Sequence, residues 1–181
     1  GLFDRPFLYH IWHDPSFDGK PDFSSVPIQT ANLGHPGTSR MRFYSLKRDL
    51  AALRALGAAK MITAGPGVAP QPLVDASVDV IGFGSEFGPN DALRELNAIK
   101  IGVGSAHKVL VTGCHHAREW ISVELPYLTA EYLINNFTDT PVTPKQKRIK
   151  HLLANRQIWI VPMCNPDGHD YSVRSNRNWR V

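Results

Sequence analysis

Between Val109 and Met163 the chain reads strand, helix, helix, strand, and that order narrows the possible folds more than any other feature. Val109 to Thr112 is a β-rich, nearly continuous apolar run, which predicts a strand covered on both faces. Ser122 to Phe137 then carries Val123, Tyr127, Ala130, Tyr132, Leu133 and Ile134 in a helical arrangement. Pro126 fits there only if the helix opens near Ser122, because a missing N–H costs least in the first turn. Lys145 to Ala154, just after Pro144, predicts a short basic amphipathic helix, and Gln157 to Met163 a buried strand that stops at a turn over Cys164 to Gly168. Strands joined by helices in this order suit a parallel crossover. With a further β-rich run at Ala98 to Val103, before a turn at Gly104 to His107, the expected fold is α/β. It should be a mixed, largely parallel sheet with helices on both faces.

Upstream the signals are weaker. Residues 1–40 are crowded with Pro, Gly, Asp and Ser and read as irregular surface or linker. Ser45 to Ala59 places Leu46, Leu50, Leu53 and Leu56 on one helical face, with Ser45 as N-cap and Gly57 near the end. Gly- and Pro-rich breaks follow at 65–72 and 82–89. The chain is therefore expected to divide near Asn90, into residues 1–90 and residues 91–181.

Chemistry concentrates just past the first strand of the crossover. Gly113 to Ile121 reads G-C-H-H-A-R-E-W-I and sets an imidazole, His116, three residues before a carboxylate, Glu119. Zinc takes imidazole nitrogen and carboxylate oxygen readily, and a catalytic zinc usually holds three protein ligands and an open position. Two such ligands are visible. Taken alone the pair is a weak signal, and it reads first as a hydrogen-bonded loop histidine and a carboxylate favoured by a helix N-terminus. Its position adds weight, since His116 and the Asn165 to Gly168 turn both lie beyond strand carboxyl ends, the rim where open α/β sheets bind ligands. Strand-like alternation turns His115 to the opposite side. His107 and His151 read as surface residues, and His169 is not expected to be a ligand.

The H-A-R-E-W-I core resembles the signature of zinc carboxypeptidases of the carboxypeptidase A/B family, with one extra residue between Gly113 and His116. The block C-N-P-D-G at Cys164 to Gly168, followed by N-R-N-W-R at Asn176 to Arg180, is similar to that family's second motif. The resemblance implies a zinc-dependent peptidase acting on the C-terminal bond of peptides or proteins. It makes His116 and Glu119 the first two zinc ligands, Arg118 and Arg177 substrate-binding residues, and Arg180 the catalytic arginine that stabilises the oxyanion. Trp120 and Trp179 would pack beside the site. In the family the third ligand, the general base and the clamp on the substrate's carboxylate follow the second block. Residues 91–181 therefore match the first half of a catalytic domain, and residues 1–90 a pro-segment or a divergent start of it. Little peptidase activity and weak zinc affinity are expected of this chain by itself. An extracellular or secreted location is implied by resemblance only, and no signal segment opens the sequence.

Composition excludes some alternatives. With 43% hydrophobic and 20% charged residues in 181, the chain has an ordinary globular balance. Its apolar runs are too short for a bilayer span, so no membrane partner is expected. The net charge of +4 is dispersed, and its one dense cluster, Lys145 to Lys150, reads as a solvated helix face, so no nucleic acid partner is expected. Cys114 and Cys164 form neither a disulfide framework nor a paired zinc module, and read as buried thiols. A peptide-binding module without catalysis, and a zinc deacylase on the same fold, are the competing readings; the sequence leaves the oligomeric state open.

Overall fold

A computed structural model describes residues 43–84, 94–105 and 107–180. The irregular stretch expected over residues 1–40 lies outside the described residues. The elements are α1 (Phe43–Ala58), β1 (Met61–Ile62), β2 (Gln71–Pro72), β3 (Val80–Phe83), β4 (Glu95–Asn97), β5 (Ile99–Ile101), β6 (His107–Thr112), a 3₁₀ turn (Trp120–Val123), α2 (Glu124–Asn136), α3 (Pro144–Asn155), β7 (Arg156–Val161) and α4 (Pro166–Arg174). The central sheet has the order β5-β7-β6, with β6 parallel and β5 antiparallel to β7. The expected crossover between β6 and β7 is present, and the fold is α/β with a mixed sheet. Two small antiparallel pairs, β1 with β2 and β3 with β4, flank it.

The register explains where the core sits. Ile99 pairs with Ile160 and Ile101 with Ile158, while Val109 and Val111 stand opposite the same two β7 residues. All six therefore share one face of the pleat. On that face Ile99, Ile101, Ile158 and Ile160 join Leu50 and Leu53 of α1, Tyr127 and Ile134 of α2, and Ile149 and Leu153 of α3 in one hydrophobic cluster. The opposite face carries Lys100, Trp159 and Leu110, with the Lys100 ammonium 5.6 Å from the centre of the Trp159 ring.

Local chemistry accounts for most boundaries. Pro126 sits in the first turn of α2, as the sequence required. Thr143 caps α3 through Gln146 N–H, Gln146 returns the bond to the cap's backbone, and Pro144 opens the helix. Three expectations change. Helix α1 already includes Phe43, so the buried Ser45 lies inside it and is not its cap. The inner stripe of α1 runs Leu46, Leu50, Leu53, Gly57, because the step of four from Leu53 falls on the glycine, and Leu56 is 46% exposed. Strand β6 is not covered on both faces, since Leu110 is 67% exposed, and it is also the edge of its sheet among the described residues.

Residues on both sides of position 90 build the same core. Besides the α1 leucines, Ile62, Leu73 and Val74 belong to the cluster formed with β5, β7 and α2. Arg54, on α1, donates to the carbonyls of Val78 and Ala98, each at 2.8 Å, and pairs with Asp79 at 2.7 Å. Asp139, after α2, accepts from Thr63 N–H at 2.8 Å, and that backbone bond is the main reason its carboxyl is held below the usual range.

Gly57 shows how tight this packing is. A Cβ there would lie 2.2 Å from Val74 Cγ2 and 3.3 Å from Ile134 Cδ1. Alanine gains about 1 kcal/mol of helix propensity over glycine, whereas overpacking a filled core costs about 1–3 kcal/mol. Gly57→Ala is expected to lower the melting temperature in a thermal unfolding experiment. A raised melting temperature would show that Val74 moves aside freely.

Candidate metal site

The carboxyl ends of β6 and β7 stay together past the sheet. Gly113 O accepts Cys164 N–H and Cys114 O accepts Asn165 N–H, both at 3.0 Å, so the two sequence motifs leave the sheet side by side. From there the first motif turns sharply. Cys114 adopts φ 48°, a left-handed conformation unusual for a residue with a side chain. Its surroundings hold it there: its N–H donates to Ser122 Oγ at 2.9 Å, and its Sγ lies 3.5 Å from His169 Nδ1. Burial, with smaller contributions from Cys164 and Glu119, pushes the Cys114 thiol up to about 12. At neutral pH the thiol is protonated and fills space in the core. Both cysteines are free thiols.

His116 and Glu119 meet. Glu119 N–H donates to His116 O at 3.0 Å, closing a turn, and His116 Nδ1 lies 2.7 Å from Glu119 Oε1. Their side chains are 38% and 46% exposed, so the pair opens to solvent. Glu119 stands at the N-cap position of the 3₁₀ turn, yet its side chain makes no capping hydrogen bond there. The carboxylate favoured by a helix end, which was the ordinary alternative for this residue, is thus directed to the imidazole. The two side chains are hydrogen-bonded directly to each other, and their donor types, one nitrogen and one oxygen, fit half of a zinc coordination sphere once that bond is exchanged for the metal. Among the described residues no group of three or more His, Cys, Asp or Glu is arranged to hold a metal ion.

The loop between and around these donors is fixed from several sides. Ser122 Oγ donates to Glu119 O at 2.5 Å while accepting from Cys114, so one hydroxyl ties the start of the loop to its end. Ala117 N–H donates to Arg180 O at 3.1 Å, which brings the N-R-N-W-R block against the H-A-R-E-W block. Arg118, Arg177 and Arg180 are exposed. His115 is exposed too, and its carbonyl accepts from Asn165 Nδ2 at 3.4 Å. Trp120 donates its indole N–H to Ser172 Oγ at 2.6 Å, and Trp179 packs edge-on against Tyr171 with ring centres 5.2 Å apart.

The predicted turn at Cys164 to Gly168 is instead the opening of α4. Asn165 is its N-cap, accepting from Gly168 N–H at 2.9 Å, and Pro166 occupies the first turn. Buried Asp167 pairs with Arg94 at 3.0 Å, and Arg94 also reaches Asp170 at 2.6 Å, which clamps the residue before β4 onto the helix. His169, on the same helix, is buried at 1% exposure. Ser122, Ser172 and Arg94 carry no motif of their own, and their longer-range contacts span 8 to 76 positions, so local pattern gives no signal for them.

A family model described as zinc carboxypeptidase matches residues 92–181. The inactive metallocarboxypeptidase ECM14 of Paracoccidioides brasiliensis (strain Pb03) is 34% identical over 114 residues, 60% of this chain and 18% of that protein. Carboxypeptidase B of Astacus astacus is 32% identical over 107 residues, 58% of this chain and 30% of that protein. The crystal structure of thrombin activatable fibrinolysis inhibitor (TAFI) aligns with a TM-score of 0.47 at 18% identity, covering 76% of this chain and 27% of that one. This chain thus spans less than a third of the length of those relatives.

Proposed function

We propose, from the match of residues 92–181 to the zinc carboxypeptidase family model, that this chain carries the zinc-binding, substrate-facing part of an enzyme that hydrolyses the C-terminal peptide bond of peptides or proteins. His116 and Glu119 are the protein ligands it contributes. The observation that carries this reading is the 2.7 Å approach of His116 Nδ1 to Glu119 Oε1 on a solvent-open loop, with the carboxylate unused as a helix cap. Bound zinc would supply a polarised carbonyl and a water activated near neutral pH.

The arginines supply the rest of what this chain offers. Arg118 lies within the H-x-x-E turn, and Arg177 and Arg180 lie in the block joined to that turn through Ala117. Guanidinium pairs bidentately with carboxylates, which suits Arg118 and Arg177 to a peptide C-terminus. Arg180 takes the catalytic role, receiving the charge that develops on the scissile oxygen; removing such a donor costs about 10²- to 10³-fold in rate. Residues 43–84 are best read as the start of the same catalytic domain, since their apolar side chains share the core of β5 and β7. A separate pro-segment would be expected to keep its own core.

A second reading has an observation behind it. One relative at 34% identity is named an inactive metallocarboxypeptidase. On that reading the chain belongs to a peptide-binding protein that keeps the fold and the arginines without hydrolysis.

Zinc titration of the full chain against a chromogenic chelator tests the ligand assignment. Weak binding is expected, reduced about tenfold or more by His116→Ala and by Glu119→Gln, in line with what loss of supporting groups costs at metal sites. Equal binding by all three proteins would refute the assignment. In parallel, a peptide with a free C-terminus and its blocked counterpart are both expected to survive incubation with the chain and zinc. Zinc-dependent release of the last residue from the free peptide alone would show that a further ligand completes the centre.

A further inference from the structure

We propose that Ser172 is a positioning residue that presets the geometry of the His116–Glu119 pair, an inference that rests on the metal site proposed above. Two residues flanking Glu119 are held by this one hydroxyl. Ser172 Oγ lies 2.8 Å from Ala117 O and 2.7 Å from His169 O, sharing its one proton between the two carbonyls, and accepts from the Trp120 indole N–H at 2.6 Å. Ala117 lies between the two donors in sequence and is fully buried, and its N–H is already bonded to Arg180 O. Both backbone groups of the residue linking the ligands are therefore tied down.

A hydroxyl is suited to this point because it donates and accepts at once. Ser172 sits on α4 at 1% exposure, and its own His169 carbonyl, at 2.7 Å, competes for its single proton. Within an isolated helix a serine would use only that local bond. Here the Trp120 N–H fixes the oxygen from the far side, so the hydroxyl is held where the ligand turn needs it. Glu119 and His116 are both exposed, and the turn that joins them would otherwise lose backbone freedom on binding a cation. A turn fixed beforehand lowers that ordering cost, which is how supporting hydrogen bonds raise metal affinity.

The test uses the full chain, zinc, and chelator competition, with urea unfolding of the metal-free protein alongside. Ser172→Ala is expected to weaken zinc binding about tenfold, and Ser172→Thr, which keeps the hydroxyl, to recover most of that loss. Trp120→Phe, which removes the indole N–H and keeps an aromatic ring, should weaken binding in the same direction and serves if Ser172→Ala does not fold. Thr143→Ala, a cap change on α3, is a control for lost stability alone and should leave zinc affinity unchanged. If His116→Ala loses zinc while Ser172→Ala and Trp120→Phe bind as the original chain does, the positioning role is wrong and the metal site stands. If His116→Ala also binds unchanged, the metal site itself is wrong. An affinity loss in Thr143→Ala equal to that in Ser172→Ala would reduce Ser172 to a structural peg.

Discussion

Arg94→Met is expected to destabilise the fold by about 3 kcal/mol, read as a lower midpoint in urea unfolding. Arg94 and Asp167 have side chains 8% and 2% exposed, and the guanidinium bridges Asp167 at 3.0 Å and Asp170 at 2.6 Å. Removing one partner of a buried pair typically costs about 3–5 kcal/mol, because the remaining charge stays desolvated and uncompensated. Asp167 also lies in the first turn of α4, where the helix dipole favours a carboxylate, which places the expected cost at the lower end. Two companions separate charge from packing. Arg94→Lys keeps the charge but cannot fork between two carboxylates, so it should recover only part of the loss. Adding Asp167→Asn to Arg94→Met should restore stability relative to Arg94→Met alone. An unchanged midpoint for Arg94→Met would mean that water reaches Asp167 readily.

That pair also marks where the sequence stops being legible. Local rules sufficed for Pro126 in the opening turn of α2 and for the Thr143, Pro144, Gln146 start of α3, because proline geometry and capping act within four residues. The crossover joining β6 to β7 followed from element order alone. The same local reading mistook Asn165 to Gly168 for a turn. Asn165 followed by Pro166 is also a helix-start signal, and here it opens α4. The leucine spacing puts Leu56 on the inner face because a glycine carries no hydrophobic signal, although Gly57 occupies that position. At the site, the residue types of His116 and Glu119 were readable from spacing. The hydroxyls that hold them were not: Ser122 reaches back 8 positions and Ser172 reaches 55, and neither distance leaves a periodic trace.

Gly113→Ala should join the two problems, since it strikes both the fold and the site. A Cβ at Gly113 would lie 2.2 Å from Ser122 O, 2.8 Å from Pro162 O and 3.0 Å from Pro126 Cγ. Two of these are backbone carbonyls, one in the 3₁₀ turn and one just past β7, so the clash with them has no flexible side chain to absorb it. Overpacking of this kind costs about 1–3 kcal/mol where side chains yield, and more where backbone must move; a loss of about 3 kcal/mol or more is expected by urea unfolding. The direction of the forced movement matters for function. Ser122 carries the hydroxyl that grips Cys114 and Glu119, so pushing its carbonyl away from Gly113 loosens the ligand loop from the inside. Zinc affinity of whatever fraction folds should therefore fall as well, whereas Gly57→Ala, strained against Val74 and Ile134 in the core, should lose stability without losing zinc. A Gly113→Ala protein that unfolds early yet binds zinc as before would show that the ligand turn is held by α4 alone, and that its closure onto the end of β6 contributes nothing to the site.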